Sequence, residues 1–441
     1  MKNYELFFKG KNITVMGLGL LGRGLGDIRF LADCGAHVTV TDLKTTEDLA
    51  PSLSKLKDIR GIAYHLGGHD MEDFRHADLI LKAAGVPQNS PYVAEAQKHG
   101  IPVRMSADLF AELSELPLIG ITGTRGKSTT THLIAHILEA AGYKTFMGGN
   151  IRGVSTLSHL ASVTQDTVAV LELDSWQLQG FGEARISPHI AVFTTFMPDH
   201  MNYYHNSMEE YFADKANIFI NQKPDDTLIL GEQMAHFVDD YGYKAKIAAH
   251  TIIAKPIPKS WPMLIPGEHN QMDAGIALAA TEAFGVDKQV AKEAIATFAG
   301  VPGRLELARE VRGIKIYNDT TATVPDATLA ALHAVGDKKK KNILLIMGGA
   351  DKMLDMSALV AEIPDYAKGV FLLTGTGTQR ILPGLPNAHV YVSLREAVEA
   401  AMAQASEGDI VLMSPAFASF GMFKNEYDRG DQFMELISHL N

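Results

Sequence analysis

The chain has 441 residues, of which 46% are hydrophobic and 21% are charged, and this composition predicts a globular protein with roughly two to four domains. Its 40 basic and 51 acidic residues give a net charge of −11, which argues against a nucleic-acid partner bound through a general basic surface. There is no apolar run near the roughly 18 residues of a membrane span and no signal-peptide region, and the single cysteine, Cys34, excludes an intramolecular disulfide. We therefore expect a cytoplasmic protein without a membrane partner.

The first predicted element is an apolar strand, NITVMG (12–17), followed by a glycine-rich loop. The segment GLGLLG (17–22) matches G-x-G-x-x-G ahead of a helical stretch, and a second strand, HVTVTD, ends at Asp42, twenty residues after Gly22. This order places a helix N-terminus at a diphosphate and an acidic residue at a ribose or base. It predicts a Rossmann-like unit and leaves an NAD-dependent oxidoreductase open, although close packing of a helix on a strand needs the same glycines.

Two further strands, ADLILKAAG and IPVRMS, continue this alternation to about residue 113. Parallel strands present their carboxyl ends at one edge of the sheet, where ligands bind. Gly85 directly follows the first of these strands, so we expect it at the ligand-facing edge.

The central region opens with IGITGTRGKSTTTH (119–132), which reads as strand, loop and helix. Glycines let successive backbone N–H groups turn toward phosphate oxygens, a lysine adds a point charge, and the hydroxyl after it reaches Mg²⁺. Lys127 and Ser128 are the pair that fits these roles. The first glycine of the general pattern G-x-x-x-x-G-K-[ST] would fall at Ile121, so a glycine-rich turn with a solvated lysine is the alternative.

Two buried strands follow, TVAVLEL near Glu172 and HIAVFTTF just before Pro198-Asp199-His200. Because ligands of open parallel sheets bind beyond the carboxyl ends of the strands, Lys127, Glu172 and His200 should converge. A carboxylate at bound triphosphate supplies an oxygen ligand for Mg²⁺, and a histidine can serve a second metal. Each of these residues also has a purely structural interpretation. Glu172 would form a salt bridge at a strand end, and His200 would have a structural role. Lys215, on the helix that follows, would be a solvated lysine.

From residue 303 the alternation restarts with five strands, GIKIYND, NILLIMGG, GVFLLTG, HVYVS and DIVLMSP, separated by helical runs. The whole pattern predicts an α/β fold with three domains. We place a Rossmann-like N-terminal unit at 1–113, a central P-loop ATPase-type parallel sheet at 114–302 and a C-terminal Rossmann-like unit at 303–441.

Motifs in all three predicted domains carry a resemblance to a known family. They are GITGTRGKSTTT, GGNI (148–151), LELDSWQL (171–178), PDHMNYY (198–204) with Lys215 fifteen residues after His200, GEHN (267–270), GRLE (303–306), NDTTAT (318–323) and SPAFASFGMFKNEYDRG (414–430). In this order and spacing the chain resembles, over essentially its whole length, the ATP-dependent Mur ligases of peptidoglycan synthesis. Within that family it is most similar to the branch that adds D-glutamate.

The resemblance implies a reaction in three domains. ATP phosphorylates the carboxylate of UDP-N-acetylmuramoyl-L-alanine, and the amino group of D-glutamate attacks the acyl phosphate to form an amide. The N-terminal domain is implied to hold the UDP moiety, which reassigns GLGLLG from NAD, while the central domain holds ATP and the C-terminal domain the amino acid. Lys127 and two Mg²⁺ ions would offset the repulsion between the anions. We expect a monomer.

The resemblance also assigns individual residues. The implied catalytic residues are Lys127, His200 and Lys215, and the implied metal ligands are Ser128, Glu172, His200 and Lys215, the last as a carbamylated lysine. The implied ATP-binding residues are Gly123, Thr124, Gly126, Lys127, Ser128, Thr129, Asn270, Arg304 and Asp319. The implied UDP-substrate residues are Gly19, Leu20, Leu21, Asp42, Gly85 and Asn150, and the amino-acid residues are Thr323, Lys352, Ser419 and Lys424.

The chain departs from the family pattern at four places. Arg125 replaces a usual Asn, LDSWQL replaces the commoner L-S-S-F-Q-L, and Asp273 stands where Asn is common. Thr321 replaces the lysine of N-D-S-K-A-T, which removes one cation near the amino acid. Our hypothesis is that D-glutamate is still the substrate and that Lys352 and Lys424 compensate.

Three alternatives remain open from the sequence. The first is another Mur ligase, or a folylpolyglutamate-type ligase, that uses a different amino acid. The second is the NAD-dependent oxidoreductase, which has no use for Lys127, Glu172, His200 and Lys215 together. The third is a non-enzymatic nucleotide-binding regulator, against which the candidate residues for both metal sites argue.

Overall fold

The structure is a computed structural model that describes residues 2–20 and 22–440. The α-helices are α1 (Tyr4–Phe8), α2 (Arg23–Asp33), α3 (Ala50–Leu53), α4 (Glu72–Arg75), α5 (Pro91–Lys98), α6 (Ser106–Ser114), α7 (Lys127–Ala140), α8 (Ser175–Ala184), α9 (Met208–Ala216), α10 (Met234–Asp240), α11 (Glu268–Phe284), α12 (Lys288–Thr297), α13 (Pro325–Val335), α14 (Ser357–Tyr366), α15 (Thr376–Ile381), α16 (Leu394–Gln404) and α17 (Glu426–Ser438). In this part of the chain, no helix has the length and apolar character needed to cross a membrane.

The strands form three sheets. They are β1 (Asn12–Met16), β2 (His37–Asp42), β3 (Ile62–Leu66), β4 (Leu79–Lys82), β5 (Val103–Arg104), β6 (Leu118–Thr122), β7 (Lys144–Gly149), β8 (Thr167–Glu172), β9 (Ile190–Phe193), β10 (Thr227–Gly231), β11 (His250–Ala254), β12 (Glu306–Val311), β13 (Ile314–Asn318), β14 (Ile343–Gly348), β15 (Ala367–Leu373), β16 (His389–Tyr391) and β17 (Ile410–Met413). The orders are β3-β2-β1-β4-β5, β11-β10-β9-β6-β8-β7 and β12-β13-β17-β14-β15-β16. The predicted three-domain α/β fold is confirmed.

The first sheet is entirely parallel, with β1 between β2 and β4. Its central strands are nearly continuous apolar runs, as expected for strands covered on both faces. The edge strand β3 was not predicted, because three of its five residues are exposed and its apolar signal is weak.

The second sheet is also parallel, and β6 lies at its centre between β8 and β9. Ile121 is opposite Glu172 on one side and Val192 on the other. This register brings the carboxyl ends of the three strands to one edge, which is where the predicted site residues lie.

The chain divides into two compact units. The first runs to Ile257 and includes Met272–Ile295; the second comprises Pro258–Gln271 and the chain from Ala296 onward. Within the first unit the two parallel sheets share one hydrophobic core, in which Phe110 of α6 and Phe146 of β7 pack with ring centroids 5.0 Å apart.

The third sheet lies in the second unit and contains the five predicted parallel strands. An additional strand, β12, pairs antiparallel with β13 at the edge. It was not predicted because its residues are mostly polar, and Arg309 on it donates to the main-chain oxygens of Ile437 and Ser438 (both 2.5 Å). Separate apolar clusters cover the two faces of this sheet.

Candidate active site

The loop between β6 and α7 is held by the segment that follows β9. The main-chain N–H of Thr124 donates to Thr195 O (2.8 Å), and that of Arg125 donates to Thr195 Oγ1 (2.9 Å). Gly123 has a φ of +145°, and a Cβ atom at this position would overlap the hydroxyl of Thr194. The loop therefore requires glycine at 123, and its path is set by hydrogen bonds to a neighbouring strand end.

The other predicted phosphate-binding residues lie on the same loop. Gly126 has a φ of +82° directly before α7, and the carboxylate of Asp273 lies against it. The Thr124 hydroxyl is buried and donates to Met197 O (3.1 Å), while Thr129 is half-buried in the first turn of α7. Asp273, which stands where Asn is common in the family, thus places an acidic side chain beside the loop.

Two lysine side chains converge on one carbonyl oxygen of the loop. Lys127 Nζ donates to Gly123 O (2.9 Å) and Thr124 O (3.3 Å), and Lys215 Nζ donates to the same Gly123 O (3.0 Å) and to Thr122 Oγ1 (3.4 Å). Lys215 is only 2% exposed. Burial lowers the pKa of Lys215 well below its usual value, and the positive charge of Lys127 lowers this pKa further. The surroundings of Lys215 therefore favour its neutral amine.

Glu172 ends β8 and connects two groups of predicted residues. Its Oε2 accepts a hydrogen bond from Ser128 Oγ (2.5 Å), and its Oε1 accepts one from Asn150 Nδ2 (3.4 Å). The glutamate is 3% exposed. Carboxylate and hydroxyl oxygens are ligands that Mg²⁺ accepts in proteins. The structure thus brings together two predicted metal ligands and one predicted UDP-substrate residue.

His200 lies in the segment after β9, beside two aromatic rings. Its backbone is in the left-handed region, with a φ of +54°, and its ring centroid is 4.8 Å from that of Trp176 and 6.5 Å from that of Tyr211. Desolvation lowers the pKa of His200, an effect that Asp199 opposes and the two nearby lysines reinforce. A neutral imidazole is the form that binds metal ions.

Tyr211 is a residue of this site that the sequence did not identify. It is 2% exposed on α9, its hydroxyl lies 3.4 Å from Thr124 Oγ1, and its ring centroid lies 4.9 Å from Lys215 Nζ. The ring therefore contacts the phosphate loop and Lys215 and lies near His200. The only available signal was its position four residues before Lys215, which places both side chains on one face of the helix.

A cavity of about 240 Å³ lies at the glycine-rich loop of the first sheet. The predicted UDP-substrate residues that line it are Gly19, Leu20 and Gly85. Gly149, the residue before Asn150, lines it as well. Leu21 lies outside the described residues.

Asp42 holds this glycine-rich loop in place. Its Oδ2 accepts hydrogen bonds from the main-chain N–H groups of Leu18 (3.0 Å) and Gly19 (3.2 Å), and its Oδ1 accepts one from that of Lys44 (2.9 Å). The carboxylate therefore already engages two N–H groups of the loop. A direct contact between Asp42 and the UDP substrate stays a prediction.

Two charged residues that line this cavity were not predicted from the sequence. Arg23 starts α2, and its Nε donates to Ile151 O (3.1 Å), while Lys82 ends β4 and is 3% exposed. Arg23 directly follows the G-x-G-x-x-G segment and is not part of its pattern, and Lys82 lies in an apolar strand. No motif marks either residue.

Asp27 is a third such residue, on the buried face of α2. Its Oδ1 accepts hydrogen bonds from Ser155 Oγ (2.6 Å) and Ser106 Oγ (2.8 Å). Burial nevertheless raises the pKa of Asp27 to about 6. The carboxylate connects α2 to α6 and to the segment after β7, so it ties the first two sheets together.

In the second unit, predicted nucleotide residues lie around the start of β12. Asp319 Oδ1 accepts a hydrogen bond from Leu305 N (3.0 Å), and burial raises the pKa of Asp319 to about 7 despite its hydrogen bonds and the neighbouring Arg304. Arg304 itself is exposed. Asn270 is 6% exposed, and its amide donates to the main-chain oxygen of Pro266 (2.6 Å).

Two of the predicted amino-acid residues are in contact. Lys352 Nζ donates to Thr323 Oγ1 (3.0 Å). Ser419 is buried, and Lys424 is exposed, with its main-chain N–H donating to Asp428 Oδ2 (3.0 Å). The structure therefore pairs the ammonium of Lys352 with the hydroxyl of Thr323.

Thr321, at the position where the family has lysine, has a structural contact. Its hydroxyl and its main-chain N–H both donate to Gly303 O, at 2.8 Å and 3.1 Å. A threonine at this position therefore fastens the GRLE turn and provides no cation.

Together, the fold and the site define a class: an α/β protein with three sheets, of which the central parallel sheet carries a glycine-rich strand-loop-helix of the predicted phosphate-binding type. Family comparisons match the Mur ligase MurD-like N-terminal domain at residues 11–105, the Mur ligase middle domain at 121–256 and the Mur ligase glutamate ligase domain at 303–417. The chain belongs to the Mur ligase family, as the sequence predicted.

Individual proteins agree with this assignment. A UDP-N-acetylmuramoylalanine–D-glutamate ligase of Roseiflexus sp. (strain RS-1) is 38% identical over 466 aligned residues, covering 97% of this chain and 98% of that protein. One of the same name from Borreliella burgdorferi (strain ZS7) is 33% identical over 455, covering 98% of each. The crystal structure of UDP-N-acetylmuramate-alanine ligase MurC from Thermotoga maritima aligns with a TM-score of 0.63 at 19% identity, over 97% of this chain and 99% of that one, and shows the fold.

Proposed function

We propose that the protein is the ATP-dependent ligase that joins D-glutamate to UDP-N-acetylmuramoyl-L-alanine through an acyl phosphate. The observation that carries this proposal is the convergence of Lys127, Lys215 and the linked Ser128–Glu172–Asn150 group at one edge of the central sheet. It is supported by the names of relatives at 33–38% identity over nearly the full chain.

The chemistry requires two anions to meet, since the carboxylate of the UDP-linked substrate attacks the terminal phosphate of ATP. The Lys127 ammonium and the N–H groups at the start of α7 stabilise the negative charge on the transferred phosphoryl group. Asn150, which donates to Glu172, positions the UDP-linked substrate beside that phosphate. This transfer releases ADP and leaves an acyl phosphate. The amine of D-glutamate then attacks the acyl carbon, and the tetrahedral intermediate loses phosphate and a proton to leave an amide.

The residues present fit Mg²⁺. Ser128 Oγ and Glu172 Oε2 are already in contact and offer two hard oxygen ligands, and His200 is disposed toward its neutral form. Among residues 2–20 and 22–440 there is no group of three or more His, Cys, Asp and Glu side chains suited to a metal, so a second site depends on a further ligand. Mg²⁺ when bound would neutralise charge on the phosphate oxygens.

Lys215 is the further ligand that we propose, in its carbamylated form. Burial favours the neutral amine, which is the form that adds CO₂. Carbamylation replaces the neutral amine by an anion with two oxygens, which the Lys127 ammonium attracts. Removal of CO₂ and bicarbonate should lower turnover reversibly in the wild type, and a Lys215→Arg variant should be inactive with or without bicarbonate. Undiminished wild-type turnover under strict CO₂ exclusion would contradict this step.

Each of the three domains is assigned one substrate. Residues 1–113 hold the UDP moiety, 114–302 hold ATP and 303–441 bring in D-glutamate, with Lys352 and Thr323 at the amino acid. We assign Asn270, Arg304 and Asp319 to nucleotide binding, and Ser419 and Lys424 to amino-acid binding. The enzyme works as a cytoplasmic monomer.

The first test is phosphate release in the presence of ATP, Mg²⁺ and UDP-N-acetylmuramoyl-L-alanine, with amino acids added one at a time and the nucleotide product weighed by mass spectrometry. Turnover with D-glutamate alone is the expected result. Turnover with another amino acid would keep the ligase mechanism and overturn the substrate. Absence of turnover with every amino acid, despite ATP binding, would favour a non-enzymatic nucleotide-binding regulator.

A further inference from the structure

Lys82 is a buried lysine without a carboxylate partner. It ends β4, is 3% exposed, and its ammonium donates to Val86 O at 3.1 Å. Within the described residues, no carboxylate oxygen lies within 4.0 Å of it. An ammonium carries three donors, and a buried charge is costly unless it is paired. Burial lowers the pKa of Lys82 to about 8, against the attraction of Glu183 and three other acidic side chains of the chain. None of them is in direct contact with the ammonium, which can therefore still gain a directly bound negative partner.

The cavity that Lys82 lines is built for an anion. It lies at the N-terminus of the eleven-residue helix α2, where backbone N–H groups and the helix dipole favour negative charge. Arg23, the first residue of α2, is a second cation on its wall and is fixed by its hydrogen bond to Ile151 O. Asp27 also lines the cavity, but two serine hydroxyls hold its Oδ1.

The N–H groups of the glycine-rich loop contribute less than the motif suggests. Those of Leu18 and Gly19 donate to the Asp42 carboxylate, so they are committed to holding the loop. Binding of an anion in this cavity consequently relies on the start of α2 and on side-chain cations. Lys82 is the more buried of the two cations.

We propose that Lys82 binds the diphosphate of the UDP-linked substrate and supplies the main side-chain countercharge for it in this cavity. This inference rests on the proposed function, which provides a nucleoside diphosphate as the ligand of the first sheet. Charge-assisted hydrogen bonds to phosphate are about twice as strong as neutral ones, and they would replace the missing carboxylate. The alternative is a structural role, in which Lys82 only holds the turn that ends at Val86.

The experiment compares two ligands that differ only in the diphosphate. Binding of UDP and of uridine to the full chain is measured by calorimetry for the wild type, Lys82→Met, Lys82→Arg and the matched control Lys57→Met, which removes an exposed lysine of the same unit. We expect Lys82→Met to weaken UDP binding about ten- to hundredfold and to leave uridine binding unchanged within about twofold. Lys82→Arg should restore most of the UDP affinity, and Lys57→Met should change neither.

The results of this experiment distinguish the role of Lys82 from the proposed function of the protein. Equal losses for UDP and uridine, or full UDP affinity in Lys82→Met, would overturn the role of Lys82 while wild-type UDP binding still supports the proposed function. Failure of the wild type to bind UDP would overturn both. If Lys82→Met does not unfold cooperatively on heating, Lys82→Gln takes its place with the same expected results.

Discussion

The two glycine-rich loops of the first unit have the same backbone design and opposite local charge. Each joins a central parallel strand to a helix, with glycine at left-handed positions such as Gly22 and Gly126 directly before the helix. In the first loop a carboxylate, Asp42, receives two main-chain N–H groups. In the second, the Lys127 ammonium and the Lys215 amine both donate to one carbonyl oxygen.

The difference shows that the strand-loop-helix motif does not by itself determine the chemistry of its loop. The second loop carries the cation of Lys127, and positive charge is what transfer of a phosphoryl group between anions requires. The first loop is rigidified by an acid and leaves anion binding to the helix start and to Lys82 and Arg23. One loop is therefore suited to catalysis and the other to holding a substrate at a distance from the reaction.

The largest expected effect follows from removing Lys127, the cation of the second loop that we propose to be catalytic. Lys127→Met should lower kcat by about 10²–10³-fold, because one fixed charge on the transferred phosphoryl group is lost. Calorimetric UDP binding should be unchanged, since we assign UDP to the first loop. Phosphate release measures the effect, with Lys57→Met as a control. A Lys127→Met enzyme within tenfold of wild type would contradict the contrast between the loops.

The next largest effect is on the free energy of unfolding of the first unit, and it involves the buried carboxylate of Asp27. Its folded-state pKa of about 6 lies above the unfolded value, so the folded protein loses stability as the pH rises from about 4 to about 6 and does not regain it above. Asp27→Asn removes this cost and keeps an oxygen acceptor for Ser106 and Ser155. At pH 7.5 it should stabilise the first unit by up to about 3 kcal/mol, and near pH 4 it should change little.

Urea titration followed by Trp176 fluorescence measures this effect, in a Trp261→Phe background so that only the first unit is observed. Asp33→Asn, at an exposed acidic position on the same helix, is the matched control. A stability difference between Asp27→Asn and its parent that does not grow between pH 4 and pH 7.5 would show that the buried carboxylate is not destabilising.

The second unit offers a third way to hold an anion, with one cation and one hydroxyl. Since Thr321 supplies no charge, Lys352→Ala should raise KM for D-glutamate about ten- to hundredfold through loss of a charge-assisted hydrogen bond. The exposed Lys339→Ala, in the same unit, should leave it unchanged. An unaltered KM for D-glutamate in the Lys352→Ala variant would contradict the hypothesis that Lys352 compensates for the lysine missing at position 321.

The smallest expected effect comes from weakening the acid of the first loop. Asp42→Asn keeps the size of the side chain but replaces a charged acceptor of two loop N–H groups by a neutral one. UDP affinity should fall about three- to tenfold, because the loop that shapes the cavity is less firmly held. ATP binding, measured in parallel, should not change; an equal fall in ATP affinity would mean that the two loops are not independent.

Much of the fold follows from local sequence. Apolar strands followed by glycine-rich turns and helical periodicity predicted all three sheets, because buried parallel strands and φ-positive glycines leave signals within a few residues. The edge strands β3 and β12 were missed, since exposed and polar residues obscure the apolar signal there. Three strands of the central sheet, β7, β10 and β11, were not predicted either. The positions of Glu172, at the end of β8, and of His200, in the segment after β9, were also predictable, because parallel sheets collect the carboxyl ends of their strands at one edge.

Only the tertiary structure decided which side chains meet and in what charge state. Lys215 is 92 residues from Gly123 in sequence, and Tyr211 is 87 residues from Thr124, so no local pattern reports their contacts. Lys82 looks like an ordinary strand residue until the fold buries it beside the glycine-rich loop. The sequence by itself determined the parallel sheets, the phosphate loop and the family, because these depend on short-range geometry and on recurring motifs. Burial and long-range packing determined the shifted pKa values and the unpaired cation, because desolvation depends on every neighbour that the fold brings near.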